Sequence, residues 1–167
     1  MDSNELEKIK AELAQRAYRY EQVYGGCSQA VIGAFKKVLG NIGDDVFKAA
    51  TGLAGGVGLT GNTCGALSGA VLVLGTYLGR EYEDFADPAE KRFESFQLAK
   101  ELMERFEAEY GSGTCKQIQT KIMGRHYDIW TERDAFLAAG GHDDKCPSVC
   151  ANATRWAVDI LSAKGLL

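Results

Sequence analysis

An all-α fold, a single compact multi-helix bundle with a glycine-rich loop ahead of its central helix, is what this sequence predicts. Three observations point there. Apolar residues recur at three- and four-residue spacing through most of the chain, and no segment alternates apolar and polar residues with period two. The only two prolines, Pro88 and Pro147, both stand where a helix would begin. A chain of 167 residues has one domain's length and can bury a substantial core. No long linker, repeat or low-complexity tract divides it, so residues 1–167 read as one domain.

The first helix is expected from about Ser3 to Tyr24, on Leu6, Ile9, Leu13, Ala17 and Tyr20, with Gly25-Gly26 as its stop. A second starts at Cys27 or Ser28 and carries Ala30, Val31, Ala34, Phe35, Val38 and Leu39 up to Gly40. A shorter one covers about Asp44 to Leu53. The segment Gly55-Gly56-Val57-Gly58-Leu59-Thr60-Gly61-Asn62 is too glycine-rich for regular structure. Thr63 is placed to cap the next helix, Cys64 to Gly79. Asp87-Pro88-Ala89-Glu90 reads as a helix start, with Asp at the cap and Pro at the first position. The helix after it shows Phe93, Phe96, Ala99, Met103, Phe106 and Tyr110 and stops at Gly111. Thr114-Cys115-Lys116-Gln117 is a capping box for a helix to about Met123. Thr131 and Asp134 frame a brief helix closed by Gly140-Gly141, and Pro147 opens the last, striped by Val149, Ala153, Trp156, Ile160 and Leu161. Trp130, Trp156 and the phenylalanines at 93, 96 and 106 are expected in the core.

Apolar residues make up 46% of the chain and charged ones 25%, with a net charge of −4. An acidic surface without a run of Lys or Arg is a poor partner for nucleic acid or anionic lipid. The stretch Met1-Asp2-Ser3-Asn4-Glu5 has no basic region followed by an apolar one, so it is not a secretory signal. The apolar stretch Cys64 to Gly79 is too short and too glycine-rich for membrane insertion. The expected compartment is the cytoplasm, where cysteine clusters more often bind metal or do redox chemistry than form structural disulfides.

The five cysteines are Cys27, Cys64, Cys115, Cys146 and Cys150. No two form a CxxC pair, which removes zinc-ribbon, thioredoxin-like and bacterial ferredoxin spacings. What four of them share is position. Cys27 follows Gly25-Gly26, Cys64 follows Gly61-Asn62-Thr63, Cys115 follows Gly113-Thr114, and Cys146 precedes Pro147. Each is expected at the N-terminal edge of a helix, where free N–H groups and the helix dipole favour a thiolate. Four converging helix starts would also stabilise an anionic iron–sulfur cluster. Taken singly, each cysteine is equally explained as a small buried hydrophobe. Cys150 falls inside the last helix, where core packing explains it better than a fifth ligand.

Gly55-Gly56-Val57-Gly58, followed by Thr63-Cys64-Gly65-Ala66-Leu67-Ser68-Gly69-Ala70, closely resembles the signature of the redox-active C-GCAxxG-C-C family. The resemblance covers about residues 25 to 160. Cys27 with Gln29-Ala30-Val31 matches the family's first cysteine, Cys64 its second and Cys115 its third. For the fourth, Cys146 with Pro147 fits better than Cys150, because Ala153 then falls where the family keeps a small residue. The split-Soret cytochromes c carry a distantly similar domain with an iron–sulfur centre. This chain has no haem-attachment motif, so the resemblance implies only the thiol part of that chemistry.

Gly56-Val57-Gly58-Leu59-Thr60-Gly61 is formally GxGxxG, but no strand precedes it, which argues against a dinucleotide site. The loop is expected to pack closely around Cys64 with its N–H groups toward the site. Gly56, Gly58, Gly61, Thr63 and Gly65 are therefore the candidate backbone positions beside a cofactor. Gly65 and Gly69 are expected to let a neighbouring helix approach. Of the two histidines, His126 and His142, the second precedes Cys146 closely enough to complete a mixed Cys/His site.

The leading expectation is a redox protein in which Cys27, Cys64, Cys115 and Cys146 hold an iron–sulfur cluster and exchange electrons with a partner protein. Two alternatives use the same residues: cofactor-free cycling between dithiol and disulfide, and a zinc- or soft-metal-binding module. Cys64, between a capped helix start and the glycine loop, is expected to be the most reactive or most tightly ligated thiol. A homodimer through a helical face is a further expectation.

Overall fold

The computed structural model describes residues 2–167; Met1, which opens the acidic amino-terminal stretch, lies outside them. Asp2 caps helix α1 (Ser3–Tyr24) by accepting from the Glu5 N–H at 2.8 Å. The buried stripe of α1 is Leu13, Ala14, Ala17 and Glu21, so one acid occupies a place where the helical repeat calls for an apolar side chain. Gly25 and Gly26, both left-handed, turn the chain directly into α2 (Cys27–Leu39). Next come the short α3 (Asp44–Ala49) and a 3₁₀ turn at Ala50–Leu53.

The loop that follows is a left-handed run. Residues 55 to 59 all have φ between +60° and +79°, including Val57 and Leu59, which pay a steric penalty there that glycine does not. Helix α4 (Gly65–Leu78) is the central element. Its Gly65, Ala66, Leu67, Gly69, Ala70, Val73 and Leu74 are buried, and α2, α5 (Lys91–Tyr110) and α8 (Cys146–Ala163) pack around it. Gly65 and Gly69 of α4 face α2: a Cβ at Gly69 would collide with the Ser28 backbone. Helices α6 (Cys115–Met123) and α7 (Ile129–Ala138) and a π-helical turn at Gly141–Lys145 complete the order before α8. Among the described residues there is no strand, only an isolated bridge between Thr63 and Thr114.

Several element starts differ from the sequence expectation. Thr63 does not cap α4; it pairs with Thr114, and Cys64 itself occupies the cap position. Asp87 caps α5 from three residues further back than expected. Its carboxylate accepts from the Lys91 and Arg92 N–H groups at 2.8 and 3.1 Å, across a turn at Pro88-Ala89. Helix α7 begins under Asp128, which accepts from the Trp130 N–H at 3.1 Å, rather than at Thr131.

The core also chose a different face of α5. The buried stripe is Leu98, Leu102, Phe106 and Tyr110, so Phe93 and Phe96 lie largely exposed. Phe106 is buried and stacks edge-on against the partly buried Trp156 at 5.2 Å. Trp130, expected inside, is 72% exposed, and its indole N–H donates to the Gly58 carbonyl at 3.0 Å. No helix among the described residues is long and apolar enough to cross a membrane.

Candidate functional site

All four positional cysteines stand at helix starts. Cys27, Cys115 and Cys146 are the first residues of α2, α6 and α8, and Cys64 is the residue immediately before α4. The four line one cavity of about 380 Å³. Local sequence explains each placement. The Gly25-Gly26 turn presents Cys27, and the Thr114 cap presents Cys115. The π-helical turn, followed by Pro147 in the first turn of α8, presents Cys146.

Cys64 and Cys115 are clipped together by backbone. The Cys64 N–H donates to the Gly113 carbonyl at 2.9 Å, the Cys115 N–H to Asn62 at 2.6 Å, and the Lys116 N–H to Gly61 at 2.9 Å. The sulfur of Cys115 also accepts from the Gln119 side chain at 3.5 Å, whose own oxygen takes the Tyr127 N–H at 3.0 Å. Cys150 is set back one turn into α8. It is fully buried, with its sulfur 3.8 Å from the Cys27 carbonyl.

The candidate glycines take different places. Gly65 abuts Cys27: a Cβ there would overlap the Cys27 Sγ. Gly56 is where the loop crosses itself, since a Cβ would meet the Asn62 backbone. Gly58 supplies the carbonyl that holds Trp130, and Gly61 packs under the His126 ring. From the loop, Gly55 and Leu59 line the cavity.

The backbone N–H groups of Gly55 and Ser28 act to lower the Cys27 thiol and those of Leu67 and Ala66 the Cys64 thiol, while the Cys64 side chain closes no cap bond. The loop's contribution therefore goes to Cys27 rather than to Cys64. The expected net effect is also reversed. Burial outweighs these donors and pushes every thiol upward, Cys64 and Cys115 to about 12. Cys27, Cys146 and Cys150 are raised as well, by burial first and then by Glu21 and neighbouring thiols. In the metal-free protein these are thiols, not thiolates.

Two further polar groups join the site. Glu21 from α1 and His142 from the π-helical turn line the same cavity, with Nε2 of His142 3.4 Å from Oε1 of Glu21. Burial raises the Glu21 carboxyl to about 8. His142 thus has a carboxyl partner, and its ring packs edge-on against Phe136 at 5.2 Å. Sequence reasoning passed over Glu21 and Gln119. Glu21 left a signal: it continues the four-residue stripe Leu13–Ala17–Glu21 with an acid. Gln119 left none.

A model of the family described as "Putative redox-active protein (C_GCAxxG_C_C)" matches residues 26–160, a span that holds all five cysteines. No curated protein and no solved structure matches the chain.

Proposed function

The chain belongs to the C_GCAxxG_C_C family of redox-active proteins, and from that premise we propose that it is a cytoplasmic electron-transfer protein. In this reading Cys27, Cys64, Cys115 and Cys146 hold an iron–sulfur cluster and the partner is another redox protein. The observation that carries the reading is the opening of four helix starts, each bearing one cysteine, onto one cavity.

The donor set fits such a group. An all-thiol ring is what iron–sulfur clusters take. Among the described residues no three His, Cys, Asp or Glu side chains converge on one point closely enough to hold an ion. A bound cluster would supply a one-electron couple. The chain's part is to hold thiolate charge with the N–H groups of Ser28, Gly55, Ala66 and Leu67. Ile118, Ile122, Phe136 and Val149 in the cavity wall limit water.

The clip that pairs Cys64 with Cys115 favours a second reading, a dithiol that closes to a disulfide by passing two electrons to an oxidised redox partner and releasing two protons.

Iron and acid-labile sulfide analysis of anaerobically prepared protein, with visible absorbance, separates the two. The cluster reading expects both elements. It also expects Cys→Ser at 27, 64, 115 or 146 to lower them while the helical circular dichroism persists, and Cys150→Ala to leave them in place. Protein without sulfide, whose Cys64 and Cys115 are lost to alkylation together after oxidation, supports the dithiol instead.

A further inference from the structure

Glu21 is 2% exposed, and its Oε2 is buried with no hydrogen-bond partner. An orphaned carboxyl oxygen is costly inside a protein, and an apolar residue at this place on the α1 stripe would avoid the cost. The group faces the cysteine cavity. Its other oxygen lies 3.4 Å from Nε2 of His142, whose side chain is about one-third exposed. The ring of His142 finds room over Gly25, where a Cβ would stand 3.1 Å from its Cε1. Surface, imidazole, carboxyl and thiol cavity thus follow one another in space.

We propose that Glu21 and His142 form a proton path that carries thiol protons out of the cysteine cavity when its thiols are converted to thiolates. The need arises in either reading of the site, since both metal capture and disulfide formation require the sulfur to lose its proton inside a buried space. In the transfer, an S–H bond breaks and its proton crosses the cavity through water to the free Oε2 of Glu21. The sulfur keeps the electron pair and donates it to the captured metal ion. Glu21 hands a proton from Oε1 to Nε2 of His142, and His142 releases one to water.

The groups facing this path are Cys27 from α2, Cys64 from α4, Cys115 from α6 and Cys146 with Cys150 from α8. Arg133 of α7 and Asp143 of the π-helical turn act on His142 in opposite senses. Burial holds His142 below its ordinary range, so its ring is neutral near pH 7 and free to accept. The carboxyl, raised to about 8, lies between the solvent and the far weaker acids it serves.

Cadmium uptake by the reduced, metal-free protein tests the path without iron or sulfide, so a failure of the cluster reading leaves it standing. Cadmium–thiolate absorbance is followed by stopped flow at pH 7. Glu21→Gln keeps the shape of the side chain but cannot take a proton. It is expected to slow the reaction on the order of 10²-fold, with the same final absorbance. His142→Ala should slow it as well, and imidazole added to the buffer should restore the rate. That restoration is a result that a packing role for His142 would not give, and it decides the matter if Glu21→Gln fails to fold. A Glu21→Gln protein that reacts at the wild-type rate overturns the proposal. So does a His142→Ala protein that imidazole does not rescue, or a wild-type protein that forms no cadmium thiolate.

Discussion

The sulfur of Cys27 rests against the bare α-carbon of Gly65, the residue directly after Cys64. One helix start is thereby docked on another, and the cysteine–glycine pair at 64–65 serves both. Cys64 contributes a thiol, and Gly65 makes room for a thiol from α2. The Gly69–Ser28 approach one turn later continues the same contact.

Gly65→Ala should therefore destabilise the fold by about 1–3 kcal/mol, the usual scale of overpacking a tight interior, and should displace Cys27 from the site. Gly75, ten residues on in the same helix, has open space where its Cβ would be. Gly75→Ala should stabilise by about 0.5–1 kcal/mol, since alanine is the better helix former. Urea unfolding of the two variants checks the contrast. Equal effects would mean that the Gly65 contact contributes no specific packing.

Cys64 is expected to resist alkylation in the reduced, metal-free protein. It is 6% exposed and burial lifts its thiol to about 12, so neither access nor thiolate fraction favours reaction at neutral pH. Iodoacetamide labelling followed by mass spectrometry should find Cys64 modified more slowly than in the urea-unfolded chain. Faster labelling in the native state would restore the helix-end effect as the dominant one.

That reversal marks what the sequence can and cannot convey. The helix starts were legible because local chemistry dictates them: the Gly25-Gly26 stop, the Thr114 cap and Pro147 each fix one cysteine. The balance between a helix-end field and burial was not legible, because burial depends on which elements close over the site. The α5 face was ambiguous for a similar reason. Phe93 and Phe96 compete there with Leu98 and Leu102, and only packing against α4 and α8 chooses the leucines. Glu21 is the instructive miss. One acid in a helix rich in acids looks like solvated surface until its place on the Leu13–Ala17 stripe is noticed.

Val57 sits in the left-handed run at φ 65° and is about half exposed. A β-branched residue there strains against its own backbone while burying little. Val57→Gly is expected to raise stability by about 0.5–1 kcal/mol, what remains of a left-handed penalty of about 1–2 kcal/mol once the greater freedom of glycine in the unfolded chain is subtracted. Thermal unfolding reads the change. A clear loss of stability would show that the Val57 side chain makes a contact that outweighs its strain.

Glu21 should make the metal-free protein lose stability as pH rises from about 4.5 to about 8. Its folded-state pKa of about 8 lies above the ordinary 4.5, so between those values the native state holds a proton that the unfolded chain has released. Stability then falls with rising pH across that window, because ionisation must take place in a buried site. The full loss above pH 8 is on the order of 3–5 kcal/mol. His142 acts on the other side. Burial lowers its pKa from 6.5, so the unfolded chain binds the proton more readily and stability drops as pH falls through that region. The two slopes oppose one another just below pH 6.5, and the Glu21 slope dominates from there to about pH 8, above which the buried thiols, raised from 9, begin to add their own loss. Glu21→Gln carries no titrating proton and should flatten the fall between about pH 6.5 and 8 while keeping the acid limb. Urea unfolding at a series of pH values from about 5 to 8 reads both limbs, and a fall unchanged in Glu21→Gln would assign the loss to another group.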